Sequence, residues 1–204
     1  MYHFRSTQAY ISYCYFCSID TLRLRHPPRP KGRGFLERCY NTYMKIIIIY
    51  DSQFGNTKKV AQAIASALKN PHKVTIKHIN ESQISELTNV DLLIVGSPTQ
   101  GGRPTENLLK FLEQIPANGL NNVKVAAFDT RFRENNQKFL LRLLLKTLGY
   151  AAPRIAVILE KKGGKLTAPP EGFIVLGKRG PLAKGELERA KTWGMRFTSS
   201  PIKY

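Results

Sequence analysis

A short loop of polar residues follows an aliphatic run, and its residue types suit the binding of a phosphate group. Residues 45–50 include four consecutive isoleucines, and the loop that leads from them into a helical pattern consists of Ser52, Gln53, Phe54, Gly55, Asn56 and Thr57. Backbone N–H groups at the start of a helix attract anions. Hydroxyl and amide side chains add donors, and a glycine lets the backbone approach closely. The string therefore predicts a phosphate site.

Two phosphate-binding motifs that are absent from this loop indicate which kind of phosphate compound it would bind. It has no lysine where GxxxxGK[ST] loops use one to reach a β- or γ-phosphate, and it lacks the GxGxxG spacing of dinucleotide sites. A monophosphate ester is therefore the better fit. The alternative is an ordinary helix start, capped by the asparagine or the threonine of the loop.

Two further loops follow predicted strands and carry polar side chains. After the strand predicted at 91–96 come Ser97, Pro98, Thr99, Gln100, Gly101 and Gly102, with Arg103 next. The end of the strand predicted at 124–129 leads into the set Asp129, Thr130, Arg131 and Phe132. Ligands of open parallel sheets lie outside the carboxyl ends of the strands, where the strand order reverses. We therefore expect the three loops to meet there.

Strands and helices alternate from Met44 onward, which predicts a parallel sheet with helices on both faces. Strands are predicted at 45–50, 73–79, 91–96, 124–129 and 154–160, with a further extended piece at 173–176. Helices are predicted near 57–69, 105–115, 137–148 and 183–197. The fold class is α/β, a three-layer sandwich around a five-stranded sheet.

The loop residues make the chain similar to a known family. Ser-x-Phe-Gly-Asn-Thr at 52–57, after an aliphatic strand, resembles the FMN-phosphate loop of the flavodoxin family. Residues 91–105 resemble the family's third strand and the loop beside the isoalloxazine ring, and the whole resemblance covers 44–204. It implies the strand order 2-1-3-4-5 with FMN at the switch point, held by the three loops. It also implies electron transfer or, in enzyme relatives, NAD(P)H-dependent reduction of a quinone or flavin.

The sequence departs from the family at the ring of the flavin. Flavodoxins usually stack the ring between a tryptophan and a tyrosine, whereas the loops here offer Phe132 as the ring-side aromatic residue. Trp193 falls in the last predicted helix, where packing is its expected role. A third reading is therefore a binding module that kept the fold but lost FMN. No residue set predicts acid–base catalysis; His72 and His78 flank the second strand and are expected to be solvated structural residues.

The charge of the chain bears on its partners. Lys and Arg number 32 against 14 Asp and Glu, and the part from Met44 keeps 25 basic and 12 acidic residues, a charge of +13. No recognition motif for specific nucleic acid appears in that part, and no apolar stretch is long enough for a membrane span. We expect a redox partner protein with an acidic surface. Arg103, Arg131 and Arg133, near the ring, predict a less negative low-potential flavin couple.

The first 43 residues differ from the rest of the chain. They hold all three cysteines and an Arg/Pro/Gly-rich run, and they show no sustained helical or strand period, which predicts a disordered extension or a misassigned start. Cys14, Cys17, His26 and Cys39 form only a weak candidate for zinc, and no metal site is predicted. The odd cysteine count favours a reducing compartment, so the predicted location is cytoplasmic.

Overall fold

The computed structural model describes residues 43–132, 149–177 and 179–198. The predictions for residues 1–42, among them the zinc candidate, lie outside these ranges, as does the helix predicted at 137–148. In the described chain the elements are β1 Lys45–Tyr50, α1 Asn56–Leu68, β2 Lys73–His78, β3 Leu92–Pro98, α2 Glu106–Gln114, β4 Lys124–Phe132, α3 Ala151–Lys161, β5 Lys165–Leu166, β6 Glu171–Val175 and α4 Glu186–Met195. Two short 3₁₀ turns, Ile79–Glu81 and Ile84–Leu87, link β2 to β3.

The sheet has the predicted parallel order. β2, β1, β3 and β4 are neighbours in that order, and the far edge consists of β5 and β6, which pair in turn with the beginning and the end of β4. Counting β5 and β6 as one interrupted edge strand, the order is 2-1-3-4-5. The predicted fold class is confirmed.

Helices cover both faces because the central strands are apolar on both sides. Ile46 and Ile48 pack in a core with α1 and α4, whereas Ile47 and Ile49 pack in a second core with α2 and α3. Successive side chains of a strand point to opposite faces, so an unbroken aliphatic run supplies both cores. Trp193 is 2% exposed and makes edge-to-face contacts with Phe128, Phe173 and Phe197. The expected packing role of this tryptophan is confirmed.

The strand predicted at 154–160 is wrong, because these residues belong to helix α3. Its β-branched residues resemble a strand, but the buried positions of Ala151–Lys161 recur with the helical period: Ala151, Ala152, Ile155, Ala156 and Leu159. Val157, between them, is 50% exposed. Pro153 lies in the first turn of the helix, where its missing N–H costs no intrahelical hydrogen bond. The edge strand forms later, at 165–166 and 171–175.

Other bounds differ by a few residues. β3 and β4 extend beyond their predicted ends, to Pro98 and Phe132, so several residues predicted in loops lie at the carboxyl ends of these paired strands. Within the described ranges, no helix is both long and apolar enough to cross a membrane.

Candidate functional site

The first loop places the backbone N–H groups at the start of α1 at the carboxyl edge of the sheet. Gly55 is the N-cap of α1 with φ 80° and, as a glycine, has no side chain to cap the helix. Its carbonyl accepts the first intrahelical bond, from the N–H of Lys59 at 3.0 Å, and Ser52 Oγ accepts from the N–H of Lys58 at 3.3 Å. The alternative of a helix capped by Asn56 or Thr57 is therefore wrong. The N–H groups of residues 55–57 are first-turn donors, which have no intrahelical acceptor.

The asparagine and the threonine that could have capped the helix are used elsewhere. Asn56 Nδ2 donates to the carbonyl oxygen of Arg179 at 3.1 Å. The hydroxyl of Thr57 shares a buried hydrogen bond of 3.0 Å with the hydroxyl of Thr130 at the end of β4. The first and third predicted loops are thus joined directly.

The second loop is a tight turn over Gln100–Arg103. These two residues exchange backbone hydrogen bonds of 2.9 and 3.0 Å, and Gly101 and Gly102 between them have φ 55° and 79°. Positive φ at both central residues is the requirement of a type I′ turn, which glycine meets without strain. Gln100 Nε2 donates to Gln53 Oε1 at 3.0 Å, so the turn is tied to the first loop.

A buried ion pair supports the third segment. Asp129 is fully buried, and Arg131 donates to it through Nε and Nη2 at 2.6 and 3.0 Å. The same carboxylate accepts from the N–H of Ala152 at 2.9 Å, at the start of α3. Burial raises the pKa of Asp129 above its ordinary value, although Arg131 and the Ala152 N–H act in the opposite direction. Arg131 also lies 3.8 Å from the centre of the Tyr150 ring.

The three segments enclose a cavity of about 490 Å³ at the carboxyl edge of the sheet. Twelve of the sixteen predicted site residues line it: Ser52, Gln53, Phe54, Asn56, Thr57, Pro98, Thr99, Gln100, Gly101, Thr130, Arg131 and Phe132. Val175 lines it as well and was missed. Its pairing with Phe132 across β4 and β6 brings it there, and the sequence carries no motif that signals this pairing.

The other four predicted residues do not line the cavity but hold its walls. Gly55 ends the first loop, and Gly102 is buried inside the turn. Ser97 is buried; its hydroxyl donates to the carbonyl of Pro98 at 3.0 Å and accepts from the N–H of Thr105 at 3.1 Å. Asp129 fixes Arg131 and the start of α3, as described above. The structure thus separates residues that face the cavity from residues that support it.

The aromatic residues of the site are Phe54 and Phe132, which line the cavity and are 39% and 40% exposed. The cavity also offers the free donors of a helix start and a small hydroxyl-bearing loop. This combination fits FMN: N–H and hydroxyl donors for a phosphate, and flat apolar side chains for a ring system. Tyr150, whose ring lies 3.8 Å from Arg131 Cζ, was not predicted near the site, because no motif in the sequence signals this contact.

Not every predicted basic or imidazole group lies where the sequence suggested. Arg103 faces a separate groove between α2 and α3, and Arg133 lies outside the described residues. His72 is buried and accepts from the N–H of Met44 at 3.2 Å, so its expected solvation is wrong. His78 ends β2 with Nε2 3.5 Å from Asp51 Oδ1, directly before the first loop, and is not remote from it.

The fold and the cavity define a flavodoxin-like α/β domain with a ligand pocket at the switch point of its sheet. A profile of the flavodoxin domain family matches residues 47–148, half of the chain, and the protein therefore belongs to that family.

Individual relatives match over shorter stretches. A flavodoxin of Aquifex aeolicus is 33% identical over 73 residues, which cover 35% of this chain and 40% of that protein. An NAD(P)H dehydrogenase (quinone) of Acidovorax ebreus is 29% identical over 41% of this chain and 54% of that protein. The chain thus spans about half the length, or less, of these two relatives. The structure of a flavodoxin from the domain Archaea superposes with a TM-score of 0.60 at 22% identity, over 76% of this chain and 96% of the other, and shares the fold.

Proposed function

We propose that this domain binds FMN in the cavity at the carboxyl edge of the sheet and serves in electron transfer. The observation that carries the proposal is the start of α1: a glycine N-cap without a side-chain cap leaves N–H donors at the mouth of a 490 Å³ pocket. Bound FMN supplies one-electron and hydride chemistry that the protein's own side chains lack.

Different residues of the pocket would contact different parts of FMN. The N–H groups of residues 55–57 and the hydroxyl of Ser52 are placed to bind a phosphate. Pro98–Gly101 and Thr130–Phe132 form the two walls between which a flat ring would lie. The Thr57–Thr130 hydrogen bond and the Gln53–Gln100 hydrogen bond hold these walls to the phosphate loop. The protein would thereby orient the ring.

A titration tests the cofactor. The full chain, freed of bound small molecules, is titrated with FMN while flavin fluorescence and visible absorption are followed. We expect saturation at one FMN per chain, with a shifted flavin spectrum. Failure of the wild-type chain to bind FMN would favour the reading of a binding module that lost its cofactor.

The partner we propose is a redox protein with an acidic surface. The part of the chain from Met44 carries +13, and opposite charges accelerate docking and are screened by salt. Affinity for an acidic electron-transfer protein should therefore fall as the salt concentration rises from about 50 to about 500 mM. Over this range the Debye length shortens from about 14 Å to about 4 Å. An affinity that does not change with salt would contradict an acidic partner.

A second candidate is an NAD(P)H-dependent reductase of a quinone or flavin. It is favoured by the half-exposed Phe54 and Phe132, which leave the pocket open to a second flat molecule, and by the similarity to an NAD(P)H dehydrogenase (quinone). Steady oxidation of NADH or NADPH by the FMN-loaded protein, dependent on added quinone, would support it. Electron exchange with a protein partner but none with nicotinamide nucleotides would support the electron carrier.

A further inference from the structure

A hairpin far along the chain contacts the loop at the start of α1. After β6 the chain turns back on itself: Leu176 N–H donates to the carbonyl of Pro181, and Gly180 N–H donates to that of Gly177, each at 2.9 Å. The base of the hairpin is fixed from α4, because Glu186 Oε2 accepts from the N–H of Ile174 at 2.9 Å. We call residues 175–177 and 179–182 the basic hairpin; Lys178 lies outside the described residues.

The tip of the basic hairpin contacts the first turn of α1. The carbonyl of Arg179 accepts from Asn56 Nδ2 at 3.1 Å. Gly180, with φ 98°, approaches so closely that a Cβ atom there would lie 2.6 Å from Asn56 Nδ2. Only glycine permits both this φ and this approach. The position of Arg179 relative to the loop is therefore set by backbone contacts as well as by its flexible side chain.

Positive charge gathers at this end of α1. Arg179 Cζ lies 6.0 Å from the centre of the Phe54 ring, which lines the cavity. Lys58 and Lys59 are exposed in the first turn of the helix, and the first turn contains no acidic residue. Cations at the positive end of a helix dipole are unfavourable unless an anion lies among them. Arg179, Lys58 and Lys59 thus place positive charge near the start of α1.

We infer that Arg179 is a specificity-determining residue, which contacts the phosphate of the bound flavin from outside the loop and so selects FMN over unphosphorylated riboflavin. This inference rests on the proposed FMN function. A guanidinium forms charge-assisted hydrogen bonds with phosphate oxygens, and a ligand without a phosphate gains nothing from it. Arg179 is exposed, so solvent and salt reduce the contribution.

The experiment compares three ligands, FMN, riboflavin and inorganic phosphate, with four full-length proteins: wild type, Arg179→Gln, Arg179→Lys and Arg196→Gln. Arg196 is exposed after α4 and matches the loss of one charge. We expect Arg179→Gln to weaken FMN binding about five- to tenfold at low salt and less at high salt, with riboflavin unchanged within about twofold. Arg179→Lys should keep most of the FMN affinity, and Arg196→Gln all of it.

Each alternative outcome has a separate meaning. Equal losses of FMN and riboflavin in Arg179→Gln would overturn the inference and assign Arg179 a packing role; so would an unchanged FMN affinity. If wild type binds no FMN but phosphate shifts the amide resonances of Gly55 and Asn56, and does so less in Arg179→Gln, the phosphate contact of Arg179 is supported, whereas the FMN proposal and the selection of FMN over riboflavin both fail. If neither FMN nor phosphate binds, both are overturned.

Discussion

The guanidinium of Arg131 is held by both oxygens of the buried Asp129 carboxylate, at 2.6 and 3.0 Å. Arg131 lines the cavity, but its charge is opposed by a partner two residues away in the same strand. The sequence predicted that ring-side arginines would make the low-potential flavin couple less negative. The Asp129–Arg131 pair limits this effect on the potential, because the negative carboxylate offsets much of the positive field of Arg131 in the cavity.

Asp129→Asn should therefore raise the more negative one-electron potential of the FMN-loaded protein. Removing the carboxylate charge leaves Arg131 as an uncompensated cation beside the ring, which favours the more negatively charged reduced flavin. An effect of about 1 kcal/mol at a partly screened site corresponds to roughly 40 mV, from 59 mV per tenfold for one electron. Redox titration of the two proteins over a range of pH measures it.

The matched variant is Arg131→Gln, which should shift this potential in the opposite direction because it leaves the carboxylate unopposed. Shifts of the same sign in the two variants would contradict an electrostatic origin and indicate a change in the shape of the pocket.

Gly172→Ala should disturb the same ion pair by contact. A Cβ atom at this position would lie 2.1 Å from Arg131 Cζ, so the guanidinium has to leave its place between Gly172 and Tyr150. We expect a loss of about 1–3 kcal/mol in the free energy of unfolding, as for other overpacked sites, measured by urea denaturation. In an Arg131→Ala background the same alanine should cost less than about 1 kcal/mol. Equal costs in both backgrounds would show that the strain lies in the β6 backbone instead.

Gly96→Ala should be the more damaging substitution. The added Cβ would lie 2.1 Å from Phe128 Cζ, in the middle of the sheet, where Phe128 is packed against Phe173 and Trp193. The ring has no open space to move into, so we expect a loss of about 3 kcal/mol or more. Gly177→Ala is the control, since its Cβ would meet only one atom, at 3.5 Å. A second substitution, Phe128→Leu, should recover part of the loss; no recovery would contradict a clash with the ring.

The raised pKa of Asp129 gives a pH dependence with a definite sign. The folded state holds this proton more tightly than the unfolded chain, whose aspartates titrate near pH 3.9. The contribution of Asp129 to the free energy of unfolding should therefore fall as pH rises from about 4 through its folded pKa. The difference between wild type and Asp129→Asn, measured by thermal or urea unfolding, isolates it from the other carboxyls.

Glu113→Gln serves as the control for this measurement, because it removes an exposed carboxyl from α2. A wild-type stability that rises relative to Asp129→Asn between pH 4 and 7 would mean that Arg131 and the Ala152 N–H outweigh burial.

Much of the fold could be predicted from local pattern. Residues 46–49 and 92–95 are apolar without interruption, a run that is typical of a strand buried on both faces. The segment 154–160 misled because Ile155, Val157 and Ile158 fit a strand as well as a helix. Whether this segment forms a strand or a helix depends on which of its side chains pack into a core. The exposed Val157 and the buried Leu159 reveal the helical pattern only in the folded structure.

The sequence likewise predicted some features of the candidate site and missed others. The string 52–57 predicted a loop at the cavity because its glycine, hydroxyl and amide residues stand between an aliphatic strand and a helix. The sequence could not tell that Ser97 and Asp129 point away from the cavity while their neighbours Pro98 and Thr130 face it. The direction of a side chain at the end of a strand depends on the pairing of that strand with the next one.

The sequence by itself determined the alternation of strands and helices, the family and the three segments that form the pocket, since these depend on short-range pattern and on residue types that few other structures use. Tertiary structure alone decided which of those residues line the cavity, that Asp129 opposes Arg131, and that the basic hairpin reaches Asn56 across 123 positions. Contacts between residues so distant in the chain arise from strand pairing and close packing of the whole domain, which no local pattern encodes.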